Sequence, residues 1–462
     1  MFKKLLYICL SVFLILSCSD DIATSPDMQP EVSCDTLKMG TLLSGNSSPT
    51  YQLKLYNRNS REIQLSSIIL RNAQTSGFRM NVDGMNGSSF TQPEFLRIAS
   101  GDSLFVFVEA TFPQKGNGIE KHTDYIDVSC NGRTSSIVLE ATSKDVRKLS
   151  AYVVTKDETW SNAEEIQIYD SLVIAQNATL TLTDSVTLYL HDKADVIVYG
   201  SLQCNGTLDR PVTIRGDRTD WMFDNLPYDN LPAQWGNLYL RKDSKDNRFM
   251  HTFIRGMSDG IFVDSTDAEF DCCHIKNSSG SLITGYCSVM SLRNSLLSNA
   301  SGSLLDIVGG SYDIVHCTLA NYHFASVMTQ EALRISNNDT INKIAVPLHK
   351  FEITNTVVWG RQFVPDIAIE YVKPAEGDSI FSYRFDHCLL HAEGTDDNEF
   401  IESKWNEDPL FVNIDEKNYT FDFHLQKESP CIGAGNPVVL DKIKTDIEGK
   451  TRSATPTIGC YE

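Results

Sequence analysis

The sequence predicts an all-β protein, a right-handed parallel β-helix solenoid preceded by a small β-sandwich. Three observations carry that expectation. Glycine, asparagine, serine and β-branched residues are plentiful, and long runs of Ala, Leu, Glu and Lys at helical spacing are missing. Six segments, 249–254, 270–275, 292–297, 314–319, 353–358 and 385–390, share the form apolar, any, Asn or His, small, any, apolar. The first four start 21, 22 and 22 residues apart, about one coil of a β-helix, and the later gaps of 39 and 32 call for insertions. Gly280-Ser281-Leu282-Ile283 recurs at the same step as Gly302-Ser303-Leu304-Leu305. Strands this short bury a core only when the next coil stacks about 4.8 Å away, so the chain must rise as a solenoid.

The elements follow in chain order. Lys3 and Lys4 precede an apolar run over residues 5–16, too short for a membrane-spanning helix, which takes about 20 residues. The run ends in Ile15-Leu16-Ser17-Cys18, which resembles the bacterial lipobox, so residues 1–17 are expected to be a lipoprotein signal peptide and Cys18 the lipidated residue. Ser19-Asp20-Asp21 resembles the acidic tag of surface-exposed lipoproteins of Bacteroidota, which implies an outer-membrane, cell-surface location. Residues 18–30 carry Pro26 and Pro30 among small and polar residues and are expected to be a flexible tether. Residues 31–147 alternate in short strands split by Asn-Arg-Asn, Asp-Gly and Asn-Gly turns, the pattern of an immunoglobulin-like sandwich. The β-helix is expected over 150–428, its first rungs marked by Ile166, Ile168, Leu172, Ile174, Leu180, Leu182, Val186, Leu188, Leu190, Val196 and Val198. Residues 429–462 are expected to form a terminal coil and cap.

Three blocks add a family resemblance. Residues 225–238, with Gln234-Trp235-Gly236-Asn237-Leu238, are similar to the insertion and following strand of the pectin-lyase-like parallel β-helix proteins of Bacteroidota. Ser429-Pro430-Cys431-Ile432-Gly433-Ala434-Gly435, then residues 446–452, then Ile458-Gly459-Cys460-Tyr461-Glu462, resemble the family's C-terminal pattern. Cys431 and Cys460 stand there in place of alanine, and Gly433 and Thr457 in place of aspartate. The resemblance implies the fold, and the fold hosts enzymes, adhesins and spacers alike.

The net charge of −20 argues against nucleic acid or anionic lipid headgroups as partners, which it would repel. Cys273, Cys317 and Cys388 share one repeat column. Cys273 and Cys317 lie a whole coil apart from contact, roughly 9–10 Å, beyond the about 7 Å a disulfide allows, and read as buried apolar fillers. Cys34 with Cys130, and Cys431 with Cys460, are left open as pairs. No Cys-x-x-Cys spacing marks a zinc site, and no metal or cofactor is implied. The densest acidic set is Asp264, Asp267 and Asp271 with His274, and Asp306 follows a coil or two later. A hydrolase needs two acids about 5–10 Å apart, and a lyase needs Ca²⁺-binding carboxylates beside a base. Asp264 and Asp267 are instead expected to close Asx-turns between coils, so no catalytic residue is assigned.

Trp221, Phe223, Tyr228 and Trp235, with Met222 and Leu226, either pack the insertion 217–235 onto the solenoid or offer a platform for sugar rings. Seven Asp-Ser/Thr steps, placing Thr36, Ser103, Ser171, Ser185, Ser265, Thr340 and Ser379 after an aspartate, resemble the O-glycosylation sequon of exported Bacteroidota proteins. Turn chemistry produces the same dipeptides. The expected function is that of a non-catalytic outer-membrane surface lipoprotein that binds a glycan or a partner outer-membrane protein. The alternative is a polysaccharide lyase or glycoside hydrolase acting along the β-helix groove.

Overall fold

The computed structural model describes residues 22–462 apart from Asn117, Asn162, Asp224, Gln362, Val364, Ala375, Glu376, Asp378 and Ser379. Cys18 and Ser379 therefore lie outside the described residues. The chain divides into two units between Asp145 and Val146.

The first unit is a sandwich of a five-stranded and a six-stranded sheet. Its long strands alternate as the sequence does: Ser103–Ala110 buries Leu104, Val106, Val108 and Ala110, and half-exposes the residues between. The Asn-Arg-Asn turn has a specific cause. Asn57 is fully buried, and its side-chain amide donates to the carbonyls of Ile98 at 2.8 Å and Arg61 at 2.7 Å, tying two strand ends together. The segment expected to be a tether as far as residue 30 is packed from Ala23 onward. Ala23 is 2% exposed, its amide donates to the Glu62 carbonyl at 2.8 Å, and the Gln29 side chain donates to the Cys130 carbonyl at 2.9 Å. The Ala23 methyl, the Met28 side chain packed against the sandwich core and satisfied backbone groups dock a segment whose composition is otherwise too polar to fold.

In the second unit, all ladder pairings along the coils are parallel, and the coil has three faces. One is the ten-stranded sheet. The eighteen-stranded path interleaves the other two: Thr252–Met257, His274–Ser278, Leu296–Ala300 and Thr318–Asn321 stack as one face, and Ile261–Asp264, Ile283–Tyr286 and Leu305–Val308 as the next. The six repeats superimpose residue by residue, Phe249 on Phe270, Leu292, Ile314, Ile353 and Phe385, and the ladder continues to Phe400. The third repeat position is the corner of the coil. His251, Cys272, Asn294, His316, Asn355 and His387 all have φ between 41° and 53°. Asparagine tolerates this left-handed region best among side-chain-bearing residues, which explains the repeated Asn. Glu402, φ 44°, marks a seventh repeat that the pattern missed. The extra residues behind the 39-residue gap form a loop from Tyr322 and the small hairpin Asn338–Asp339 with Ile344–Ala345.

The C-terminal segment does not continue the stack as a terminal coil. After the hairpin Phe411–Asp415 and Thr420–Leu425 it folds back along the outside of the coils. Cys431, Ile447, Ile458 and Cys460 cover Leu296, Val357 and Leu389, which stand in register with Thr318 on the outer side of four successive coils. Asn355 donates to the Asn436 carbonyl at 3.0 Å, and Cys460 N donates to Thr318 Oγ1 at 3.1 Å. An outward column of leucine and valine would otherwise face water, and burying it drives the cap onto the flank. The described cysteines, Cys34, Cys130, Cys431 and Cys460 among them, are all free thiols.

Covering the flank also buries His316. Burial, and then the nearby Arg452 guanidinium, push its pKa down to about 3. The folded protein therefore holds His316 neutral over a range in which the unfolded chain, near 6.5, binds a proton. The stability it contributes is present above pH 6.5 and is lost as the pH falls toward 3. His316→Asn, which places there the residue found at the equivalent corners Asn294 and Asn355, is expected to remove up to one proton, about 1.4 kcal/mol per pH unit, from the acid slope of stability. Urea denaturation between pH 4 and 7 measures it, as about one proton's worth of slope; equal slopes in both proteins would contradict the assignment.

Candidate functional site

The face built from Thr252–Met257, His274–Ser278 and Leu296–Ala300 carries two outward columns, Phe253–His274–Leu296 and Arg255–Lys276–Ser298. Two walls rise over them. One is the insertion, through its single turn Tyr228–Asn230, and the other is the hairpin Phe411–Asp415 and Thr420–Leu425. The walls touch, since Asn225 Nδ2 donates to the Lys417 carbonyl at 3.0 Å and Asn230 Nδ2 to the Tyr419 carbonyl at 3.4 Å. Between them lies a cleft of about 600 Å³. Phe253, Phe324, Tyr419, Phe421, Phe423 and Tyr461 supply its aromatic surface. Phe324 packs against Tyr419 with ring centres 4.5 Å apart, and Phe253 meets the His274 ring edge-on at 4.6 Å.

The floor is basic. Arg255 Nε and Arg215 Nη2 converge on Asp229 Oδ1 at 2.6 and 3.1 Å. Burial raises the Asp229 carboxyl pKa, but Arg255 and Arg215 outweigh it and hold the group below its usual range. Lys276 Nζ meets Asn230 Oδ1 at 3.4 Å. Burial and the two arginines lower its pKa against the opposing pull of Asp229. His274 is pushed down to about 4, first by burial and then by Lys276, and is neutral at pH 7.

The residues singled out in the sequence are distributed differently. Trp235 is fully buried in the solenoid core, with its indole N–H donating to the Arg255 carbonyl at 2.8 Å, so it is not part of a platform. Tyr228 is half-buried under the Arg218 guanidinium, 3.7 Å from its ring centre. Trp221 and Phe223 are exposed, at 59% and 60%. The acidic set is scattered over three faces. Asp264 and Asp306 stand on one, Asp267 and Asp271 on the ten-stranded sheet, and only His274 reaches the cleft. In place of the expected Asx-turns, Asp264 Oδ1 accepts from Ser265 Oγ at 2.9 Å and Asp267 Oδ2 accepts from Asp246 N, a coil away, at 3.0 Å. Of the Asp-Ser/Thr hydroxyls, Thr36, Ser103, Ser171, Ser185 and Ser265 are half-exposed and Thr340 is exposed. Asp102 Oδ1 accepts from Ser103 N at 2.7 Å and Ser171 Oγ donates to Asp170 Oδ2 at 3.2 Å, the local bonding expected of turns.

Lys276, Arg255 and the aromatic hairpin were missed because they lie outside the six-residue repeats. The available signal was an apolar or aromatic residue at the fifth repeat position, as in Phe253, Leu296, Val357 and Leu389. Among the described residues no group of three or more His, Cys, Asp or Glu side chains is placed to hold a metal. The sandwich holds a separate cleft of about 720 Å³ over Phe78, Met80 and Phe107. Its charged pair, Arg79 and Glu109, is mutually neutralised at 3.3 Å.

No family model matches the chain, and no curated protein matches it. Among solved structures it is similar to the catalytic unit of a GH87 α-1,3-glucanase from Streptomyces thermodiastaticus strain HF3-3, at 12% identity and a TM-score of 0.24 over 73% of this chain and 79% of that one. A family 123 glycoside hydrolase from Clostridium perfringens matches at 10% identity and a TM-score of 0.19, over 28% of this chain and 26% of the hydrolase. The CooA pilin subunit of enterotoxigenic Escherichia coli matches at 8% identity and a TM-score of 0.18, over 25% of this chain and 98% of the pilin. Scores this low carry no argument about function, and the fold rests on the chain's own ladders.

Proposed function

We propose that this protein is a surface lipoprotein that binds a glycan in the cleft between the insertion and the C-terminal hairpin. The observation that carries the reading is the lining itself, six aromatic side chains around a floor of His274, Lys276, Asn277, Ser298 and Asn299. Aromatic faces stack on the C–H faces of sugar rings, and a few convergent polar groups fix hydroxyls. A hydrolytic reading has less support. Among the described lining residues the cleft has one carboxylate, Asp229, already bound to two arginines, where glycoside hydrolysis uses a pair of acids.

Retention on a panel of immobilised polysaccharides tests the binding. Tyr419→Ala and Phe421→Ala are each expected to weaken it about tenfold, in line with about 1–1.5 kcal/mol for one stacked ring. Failure to retain the protein on any polysaccharide, or unchanged binding by both variants, would overturn the reading. The lipid anchor at Cys18 and sugar on exposed hydroxyls such as Thr340 belong to the same proposal. Mass spectrometry of protein taken from cells is expected to find both, and an unacylated Cys18 would remove the anchor.

A further inference from the structure

We propose that the cleft selects an anionic glycan through a subsite between Arg255 and Lys276, which takes a sugar carboxylate or sulfate ester. This rests on the cleft being the glycan site. The chain as a whole carries a net charge of −20, yet here three cations stand against one carboxylate. Ile214 pairs with Ile254, and Arg255 pairs with Lys276, so Arg215, Arg255 and Lys276 follow one another on successive coils of one outward column. Coils stack about 4.8 Å apart, so the three like charges repel unless anions separate them.

Asp229 shows how the column receives one. Its carboxylate bridges Arg215 and Arg255 from above, at 3.1 and 2.6 Å. The next interval along, between Arg255 and Lys276, has the same spacing and no such bridge. Among the described residues Lys276 has an ion-pair partner nowhere, and its hydrogen bond is to the neutral amide oxygen of Asn230. Both cations line the cleft, and Phe253, Phe324 and Phe421 line it with them. An acidic sugar can thus place its ring on the aromatic surface and its charged group where the second carboxylate is missing. His274, neutral at pH 7, is left to exchange hydrogen bonds with hydroxyls. Burial first, and then the neighbouring Arg255 and Arg215, lower the proton affinity of Lys276, and the pull of Asp229 does not offset them.

The test compares uronate-bearing polysaccharides with their carboxyl-reduced neutral counterparts and with dextran sulfate, using the full chain. The uronate form is expected to bind at least about tenfold more tightly than the reduced form and to weaken as salt rises. Lys276→Gln is expected to abolish that preference, read as the ratio of the affinities for the charged and reduced forms, and Lys276→Arg to retain it. A preference for dextran sulfate over uronate supports the same subsite with sulfate as its ligand. Equal binding of charged and reduced forms, or an intact preference in Lys276→Gln, overturns the anion subsite while leaving glycan binding standing. Absence of binding to every form overturns the cleft as the glycan site, and the subsite with it.

Discussion

Replacing Arg452 with alanine is expected to cost about 3–5 kcal/mol and to release the C-terminal cap. The guanidinium side chain is fully buried and lies 3.4 Å from the Glu462 carboxylate, itself 8% exposed. It also donates to Asn294 Oδ1 at 2.9 Å and to the carbonyls of Gly459 and Cys460 at 3.2 and 3.4 Å. Asn294 is a corner of the coil, while Gly459 and Cys460 belong to the cap, so this one side chain joins the two. Its removal takes the guanidinium donor from Asn294 Oδ1 and the Gly459 carbonyl, leaves the Cys460 carbonyl only the Ile447 amide, and leaves a buried carboxylate without its cation. The mixed-charge contact itself need not be strongly stabilising, but breaking one side of it is expensive. Denaturation with urea measures the loss, and limited proteolysis locates it in residues 429–462. A loss below about 1 kcal/mol would mean that the apolar underside and the remaining hydrogen bonds hold the cap without Arg452.

Leu297→Ala is expected to cost about 2–5 kcal/mol. Leu297 sits between Ile275 and Leu319 in one inward column, and all three are fully buried. Parallel stacking fixes the spacing above and below, so the neighbours cannot close the cavity. Arg293→Ala, on an outer position with ion pairs to Glu269 at 3.5 Å and Asp313 at 4.0 Å, should cost within about 0.5 kcal/mol. Because coils contact mainly their neighbours, hydrogen exchange should show opening of residues 270–320 in the leucine variant and no change in the first unit. Equal protection in both variants would mean that the column is not the core.

The inward columns were legible because the same apolar position returns every coil, and Ile275, Leu297 and Leu319 stack as that period requires. The corner was legible as a recurring Asn or His before its left-handed backbone was known. The seventh repeat was not, since Glu402 and Trp405 replace the small set of residues that defined the pattern. The path of the cap was hidden for a different reason. Val357 and Leu389 occupy positions that look free along the chain, and only the stack reveals them as a continuous apolar strip.

The acidic cluster misled because a coil turns through three faces in about 22 residues, so Asp264, Asp271 and His274 diverge although eleven residues contain them. The cleft gathers Asp229, Lys276 and Phe421, which are remote in sequence and meet only because the insertion and the hairpin close over one face. The aromatic residues of the insertion read as one group in the sequence, but they divide in the structure. Trp235 supplies core, Tyr228 is half-buried beneath Arg218, and Trp221 and Phe223 remain at the surface.

Glycan binding in this cleft is tested most directly by hydroxyl-radical footprinting of the full chain, with and without the polysaccharide it retains best. The account predicts protection of Phe324, Tyr419 and Phe421, with Trp221, Phe223 and the sandwich residues Met80 and Phe107 unchanged. Protection confined to Trp221 and Phe223, or to Met80 and Phe107, would place the ligand elsewhere and contradict it.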